Sequence, residues 1–197
     1  MQINDITGLI LAGGRGTRMG SVDKGLQPLG GEPMALHVMR RLAPQVDAVI
    51  INANRNGELY AGFGVPVFPD EIEGFAGPLA GLQAGLCHCR TPYLVSAPCD
   101  SPFLPHDLVA RLADALEQQE ADLALAVTGS GEGRQEHPVF CLLKTSLQAS
   151  LTAFLQAGGR KPAIWFASLK TARVNFEDED AFRNINTLLE LDQYGAH

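Results

Sequence analysis

Positive charge is scarce in this chain, and long apolar runs are missing. The 197 residues hold 15 Lys and Arg against 22 Asp and Glu, a formal charge of −7 at pH 7. So acidic a chain lacks the clustered Lys and Arg that drive general binding to nucleic acid or to an anionic membrane surface. No apolar stretch approaches the ~20 residues of a membrane span. The start, Met1–Thr7, has no basic segment, so no secretory signal is expected. Cysteine is sparse: of Cys87, Cys89, Cys99 and Cys141, only the first two are close, as C-x-C, and no second pair supplies zinc spacing. The thiols are expected to be reduced core filler in a cytoplasmic protein, with a metal site at Cys87, His88 and Cys89 as the alternative. What is present is ordinary, 46% hydrophobic and 19% charged, too apolar for disorder. The length predicts one domain over 1–197, with a core burying roughly 70% of the unfolded chain's surface.

Short β-rich runs alternate with helical patterns. Strands are predicted at Ile6–Leu11, Ala48–Ile51, Val65–Phe68, Tyr93–Ala97, Leu123–Val127, Val139–Leu143 and, at a late edge, Ala172–Asn175. Helices are predicted at Pro33–Leu42, Gly77–Cys89, Pro105–Gln118, Thr145–Ala157, Lys161–Ser168 and Thr187–Gln193. This alternation predicts an α/β fold with a mostly parallel sheet and helices on both faces. In such a sheet, ligands bind beyond the carboxyl ends of the strands, so the segments that follow each strand carry the functional information.

After the first strand come five glycines, Gly13, Gly14, Gly16, Gly20 and Gly25, interleaved with Arg15, Arg18 and Lys24. Glycine lets backbone N–H groups approach phosphate oxygens closely, and the cations add fixed charge. The pattern fits neither G-x-x-x-x-G-K-S/T nor G-x-G-x-x-G, since Ser21 and Met19 stand where those motifs need Lys and Gly. After the second strand, Asn52-Ala53-Asn54 offers amide donors and acceptors, or simply a loop of turn formers. Asp70 follows the third strand, and Gly77-Pro78-Leu79-Ala80-Gly81 opens a helix whose N-terminus favours an anion, or makes a plain Gly-Pro turn. Asp100, in Pro98-Cys99-Asp100-Ser101-Pro102, is a hard oxygen ligand at a strand tip, suited to Mg²⁺ shared with substrate phosphates. Glu136-His137-Pro138 precedes the sixth strand. Asn184 and Asn186 lie in Phe182-Arg183-Asn184-Ile185-Asn186-Thr187, where Asn186 can also serve as a helix N-cap.

The stretch LAGGRGTRMGSVDKGL resembles the signature of nucleotidyltransferases, in the form found in molybdenum cofactor guanylyltransferases of the MobA type. G-P-L-A-G, P-C-D-x-P, E-H-P and N-I-N-T follow in the order of that family, from Leu9 to Leu191. The chain departs from it in carrying Gly20-Ser21 where R-M-G-G is usual. The resemblance implies a three-layer Rossmann-like nucleotidyltransferase fold with one antiparallel strand. It also implies transfer of GMP from GTP to the terminal phosphate of molybdopterin carrying molybdenum. By the same resemblance Arg18, Lys24 and Asp100 are catalytic, and Asp100 is the ligand of Mg²⁺. Leu11, Ala12, Gly13, Lys24, Asn52, Asp70 and Asp100 bind the nucleotide, while Gly77, Gly81, Asn184 and Asn186 face the pterin. Proteins that deliver or receive the cofactor are implied partners; nucleic acid and membrane are not. The alternatives are a CTP-dependent molybdopterin or sugar-phosphate nucleotidyltransferase, and a GTP-binding module without catalysis. His137 keeps an open role, because an acceptor phosphate is already ionised and needs no general base.

Overall fold

The computed structural model describes residues 1–13, 23–72 and 77–185. Arg15, Arg18 and Asn186, with the helix predicted at Thr187–Gln193, lie outside the described residues. The strands are β1 (Ile6–Leu11), β2 (Pro28–Leu29), β3 (Glu32–Pro33), β4 (Ala48–Asn52), β5 (Val67–Phe68), β6 (Tyr93–Pro98), β7 (Leu123–Thr128), β8 (Gln135–Lys144) and β9 (Thr171–Phe176). The helices are α1 (Met34–Leu42), α2 (Gly57–Ala61), α3 (Pro78–His88), α4 (Leu108–Gln118), α5 (Gln148–Gln156) and α6 (Pro162–Phe166).

Seven strands form one sheet in the order β5-β4-β1-β6-β8-β7-β9, and β2 pairs β3 as a separate ribbon. β8 runs antiparallel to both neighbours, while the β1–β4, β1–β6, β4–β5 and β7–β9 pairs are parallel. Successive side chains of a strand face opposite ways, so each strand feeds two layers. Ile6 and Ile10 join a core with Ala35, Val38 and Leu42 of α1 and Leu108 and Leu112 of α4. Leu9 joins the opposite core with Leu79, Leu82 and Leu86 of α3, Leu151 of α5 and Trp165 of α6. The sheet is therefore the middle of three layers, with both faces covered, as a parallel sheet requires.

Helix sequence matches helix position. α1 buries Met34, Ala35, Val38 and Leu42 along one stripe and carries Arg40 and Arg41 in its last turn, beside the negative end of its dipole. α3 is buried from Leu79 to Leu86, a stretch whose one polar side chain, Gln83, donates to Cys87 Sγ and Thr152 Oγ1. It packs so close to β1 that a Cβ on Gly85 would stand 2.5 Å from Leu9 Cδ2, a distance only glycine permits.

Several boundaries differ from those predicted. β8 starts at Gln135 rather than Val139, because its exposed, polar first residues still pair with β7 across a bulge at Leu125/Ala126. α4 starts at Leu108 rather than Pro105, and α6 covers Pro162–Phe166 within the longer predicted Lys161–Ser168. β5 is Val67–Phe68 only, shortened by Pro66, which has no N–H to pair. The β2–β3 ribbon and α2 were not foreseen. The ribbon turns on Gly30 and Gly31, with φ of 59° and 88°, a backbone that glycine adopts at little cost.

Candidate active site

The chain leaves β1 for β4 and β5 on one side, then crosses back to β6 on the other. Such a switch of direction opens a crevice at the carboxyl ends of the strands. Leu11, Ala12, Gly13, Asn52, Asp70 and Asp100 all lie at those ends, as the sequence leads one to expect.

One cluster joins the ends of β1, β4 and β5. The carboxylate of Asp70 accepts hydrogen bonds from Asn52 Nδ2 at 2.9 Å and Asn54 Nδ2 at 2.8 Å. The Asp70 main-chain N–H donates to Asn54 Oδ1 at 2.8 Å, and Asn54 Nδ2 also reaches the Gly13 carbonyl at 3.4 Å. Ala12 N–H donates to the Asn52 carbonyl at 2.8 Å, closing the corner. Glycine is needed here for space: a Cβ on Gly13 would stand 2.9 Å from Asn52 Oδ1 and from Asn54 Nδ2. A Cβ on Gly81 would overlap Asn52 Oδ1 and come 2.7 Å from Leu11 Cδ2. Gly81 therefore presses α3 against this corner. Asn54, offered by the sequence beside Asn52 but not among the residues that the resemblance assigns to the nucleotide, joins the same cluster, its two-residue spacing putting both amides on one side of an extended chain.

A second cluster joins Lys24 to Asp100. Lys24 opens a single 3-10 turn, Lys24–Leu26. Asp100 follows β6, where Cys99 N–H donates to the Leu11 carbonyl at 3.1 Å and ties the loop to β1. Lys24 Nζ lies 3.2 Å from Asp100 Oδ2, with the side chains only 22% and 11% exposed. At that burial the attraction is stronger than between surface charges, because little water screens it. The Asp100 carbonyl accepts the N–H of Ile185 at 2.9 Å, and Ser101 Oγ donates to Asn184 Oδ1 at 2.7 Å. Asn184 is thus brought to the loop that carries Asp100.

Among the described residues, no group of three or more His, Cys, Asp or Glu side chains could hold a metal ion. Asp100 is nonetheless a largely buried hard carboxylate at the crevice. This fits an ion of the Mg²⁺ type, which takes one or two carboxylates and completes its shell with phosphate oxygens and water. Lys24 adds a compact cation that can meet phosphate oxygens. Gly77, with φ 71°, sits at the N-cap of α3, and the adjoining Pro78 lines a shallow cleft of about 10 Å³ with Leu11, Ser96 and Val139.

Other candidates take structural places. His137 lies on β8, its Nε2 2.9 Å from Thr128 Oγ1 and its ring stacked on Phe182 at 4.8 Å. Burial lowers its pKa from the ordinary 6.5, with Glu179 opposing. The unfolded chain therefore takes up this proton first as the pH falls. The native state loses stability below about pH 6.5, until the folded imidazole also protonates. In thermal melts, His137→Gln should lose less of its midpoint on acidification through this window than the wild type does; parallel profiles would refute the assignment. Cys99 and Cys141 are buried, and burial pushes the Cys141 thiol up to about 11. Cys87 Sγ accepts from Gln83 and Gln148, and Cys89 Sγ contacts Thr91 and the Tyr93 carbonyl.

Residues 8–172 match the family described as MobA-like NTP transferase domain. The chain is 62% identical over 189 residues to a molybdenum cofactor guanylyltransferase of Cupriavidus necator, covering 95% of each chain. It is 54% identical over 190 residues to one of Bordetella pertussis, covering 96% of each. Among solved structures it resembles molybdopterin-guanine dinucleotide biosynthesis protein A from Archaeoglobus fulgidus, with TM-score 0.77, 22% identity and 96% of each chain covered. It also resembles 4-diphosphocytidyl-2C-methyl-D-erythritol synthase from Anaerococcus prevotii, with TM-score 0.76, 13% identity and 99% and 98% covered. At those identities the solved structures speak for the fold alone.

Proposed function

The chain belongs to the MobA-like NTP transferase family, and from that premise we propose that it transfers GMP from GTP to the terminal phosphate of molybdopterin carrying molybdenum. The products are the molybdopterin guanine dinucleotide cofactor and pyrophosphate. The observation that carries this reading is the Lys24–Asp100 pair, set at the strand ends beside the Asn52–Asp70–Asn54 network.

The reaction forms a bond from an acceptor phosphate oxygen to the α-phosphorus of GTP and breaks the bond to the pyrophosphate oxygen. Both partners are anionic, so the obstacle is repulsion, and catalysis is mainly positioning and electrostatics. Lys24 meets the charge on the transferring and departing phosphoryl groups, and Arg18 is proposed to do the same. A divalent cation, taken here as Mg²⁺, held by Asp100 and the phosphate oxygens would neutralise the α-phosphoryl charge. The nucleophilic oxygen is ionised near neutral pH, because the second pKa of a phosphate monoester is about 6. No side chain has to remove a proton. Leu11, Ala12 and Gly13 offer backbone to the nucleoside. Asn52 and Asn54 hold the Asp70 carboxylate in a fixed direction, where it can accept from donors on base or ribose. Gly77, Gly81, Asn184 and Asn186 are proposed to receive the pterin.

No described helix is long and apolar enough to cross a membrane. We place the enzyme in the cytoplasm, exchanging cofactor with delivery and acceptor proteins rather than with nucleic acid or lipid. Pyrophosphate release with molybdenum-loaded molybdopterin and GTP, CTP, UTP or ATP tests the reading. GTP is expected to be preferred by about tenfold or more, the worth of one good base contact of 1–3 kcal/mol. Preference for CTP would overturn the guanylyl assignment. GTP binding without pyrophosphate release would leave a binding module.

A further inference from the structure

A carboxylate sits next to the catalytic lysine in sequence. Asp23 precedes Lys24, and an ammonium on a flexible four-carbon stem is drawn to any nearby carboxylate. Both Asp23 oxygens are nevertheless held from α2. Tyr60 OH donates to Asp23 Oδ1 at 2.6 Å, and Asn56 Nδ2 donates to Asp23 Oδ2 at 3.0 Å. The arrangement has three supports. Tyr60 is fully buried, its ring edge-on to Phe63 with centroids 5.7 Å apart, so its hydroxyl has a fixed position. Asn56, the N-cap of α2, has the left-handed φ of 54°, and its amide bonds Asp23. Gly25 clears the way, since a Cβ there would overlap the Tyr60 hydroxyl and stand 3.0 Å from Cys99 Sγ. Beyond this clamp, Lys24 Nζ reaches Asp100.

We propose that Tyr60 and Asn56 are positioning residues that hold the Asp23 carboxylate toward α2, so that it does not compete with Asp100 and substrate phosphate for the Lys24 ammonium. The inference rests on the nucleotidyltransferase reading and adds to it how the lysine is kept available. Tyr60→Phe keeps the packed ring and deletes one bond to Asp23. Asn56→Gly keeps the left-handed backbone and deletes the other.

Steady-state kinetics at saturating acceptor and Mg²⁺ should show kcat reduced about tenfold in Tyr60→Phe, with KM for GTP changed less than about threefold. Asn56→Gly should move kcat in the same direction, which keeps the test available should Tyr60→Phe fail to fold. The deciding measurement is a second change that removes the competing charge. In the Tyr60→Phe/Asp23→Asn double variant, kcat should recover at least about fivefold over Tyr60→Phe, with no matching rise in thermal midpoint. A double variant no faster than Tyr60→Phe, or single variants with wild-type kcat, would overturn the proposal. Failure of the wild type to release pyrophosphate would instead sink the nucleotidyltransferase reading, so the two failures are distinct.

Discussion

Asp100→Ala is expected to lower kcat/KM for GTP by about 10²–10³-fold, the scale of losing one electrostatic contact to a transferring group in a water-poor site. The loss should fall mainly on kcat and should not be restored by raising Mg²⁺. The fold should survive, because the Asp100 contact that secures the loop is its main-chain carbonyl to Ile185, which alanine retains. Breaking the pair with Lys24 costs about 1–2 kcal/mol, below the range for fully buried pairs because both groups keep some solvent. For a chain of this length that corresponds to roughly 2–8 °C in thermal midpoint. Pyrophosphate release and a melt on the same preparation separate the two effects. Wild-type activity in Asp100→Ala would remove the carboxylate from the mechanism.

The second large effect is expected at Lys24. Lys24→Met keeps the length and most of the apolar stem and deletes the charge. The change should cost about 10²–10³-fold in kcat, with a smaller change in KM, if the ammonium acts on charge that develops during transfer. A fall in binding alone, with kcat unchanged, would reassign Lys24 to ground-state binding. Lys24→Arg should remain well below wild type, because a planar fork does not place its charge where an ammonium does. Since Lys24 and Asp100 touch, Lys24→Met/Asp100→Ala should lose less than the product of the single losses. Additive losses would mean that the two groups act separately.

Much of this site can be read from residue order, for a physical reason. In a parallel sheet every strand ends at the same rim, so the residues that follow successive strands converge without further information. Asn52 ends β4, and Asp70 and Asp100 follow β5 and β6, so the rim gathers all three, while the nucleotide roles of Asn52 and Asp70 come from the family resemblance. The β1 boundaries, Ile6–Leu11, match those predicted because ITGLIL is uniformly apolar and stops at a glycine-rich loop.

The misses have local causes. α2 is five residues long and starts at a left-handed Asn56, so it has neither the length nor the cap that marks a helix. Tyr60, which α2 carries, therefore looks like a loop residue in the sequence, although it is buried against Asp23. The β2–β3 turn did carry its hairpin signal, Gly30-Gly31, but strands of two residues leave no alternation to accompany it. The early residues of β8 overhang the core and are polar, so hydrophobicity dates the strand four residues late. Asn184 is held next to Asp100 by Ser101, 83 residues away in the chain, and by the neighbouring Ile185 N–H on the Asp100 carbonyl, contacts that periodicity cannot reveal.

That long reach has a kinetic consequence. Lys24 and Asp100 stand 76 residues apart in the chain and meet only after β6 has paired with β1. Closing loops of that length precedes any reward from the contacts they make, so such pairings form slowly. A refolding intermediate with its helices and its local β7–β8 hairpin in place would still hold the lysine and the carboxylate apart. Recovered catalysis, rather than recovered helix signal, is then the reporter of the completed sheet.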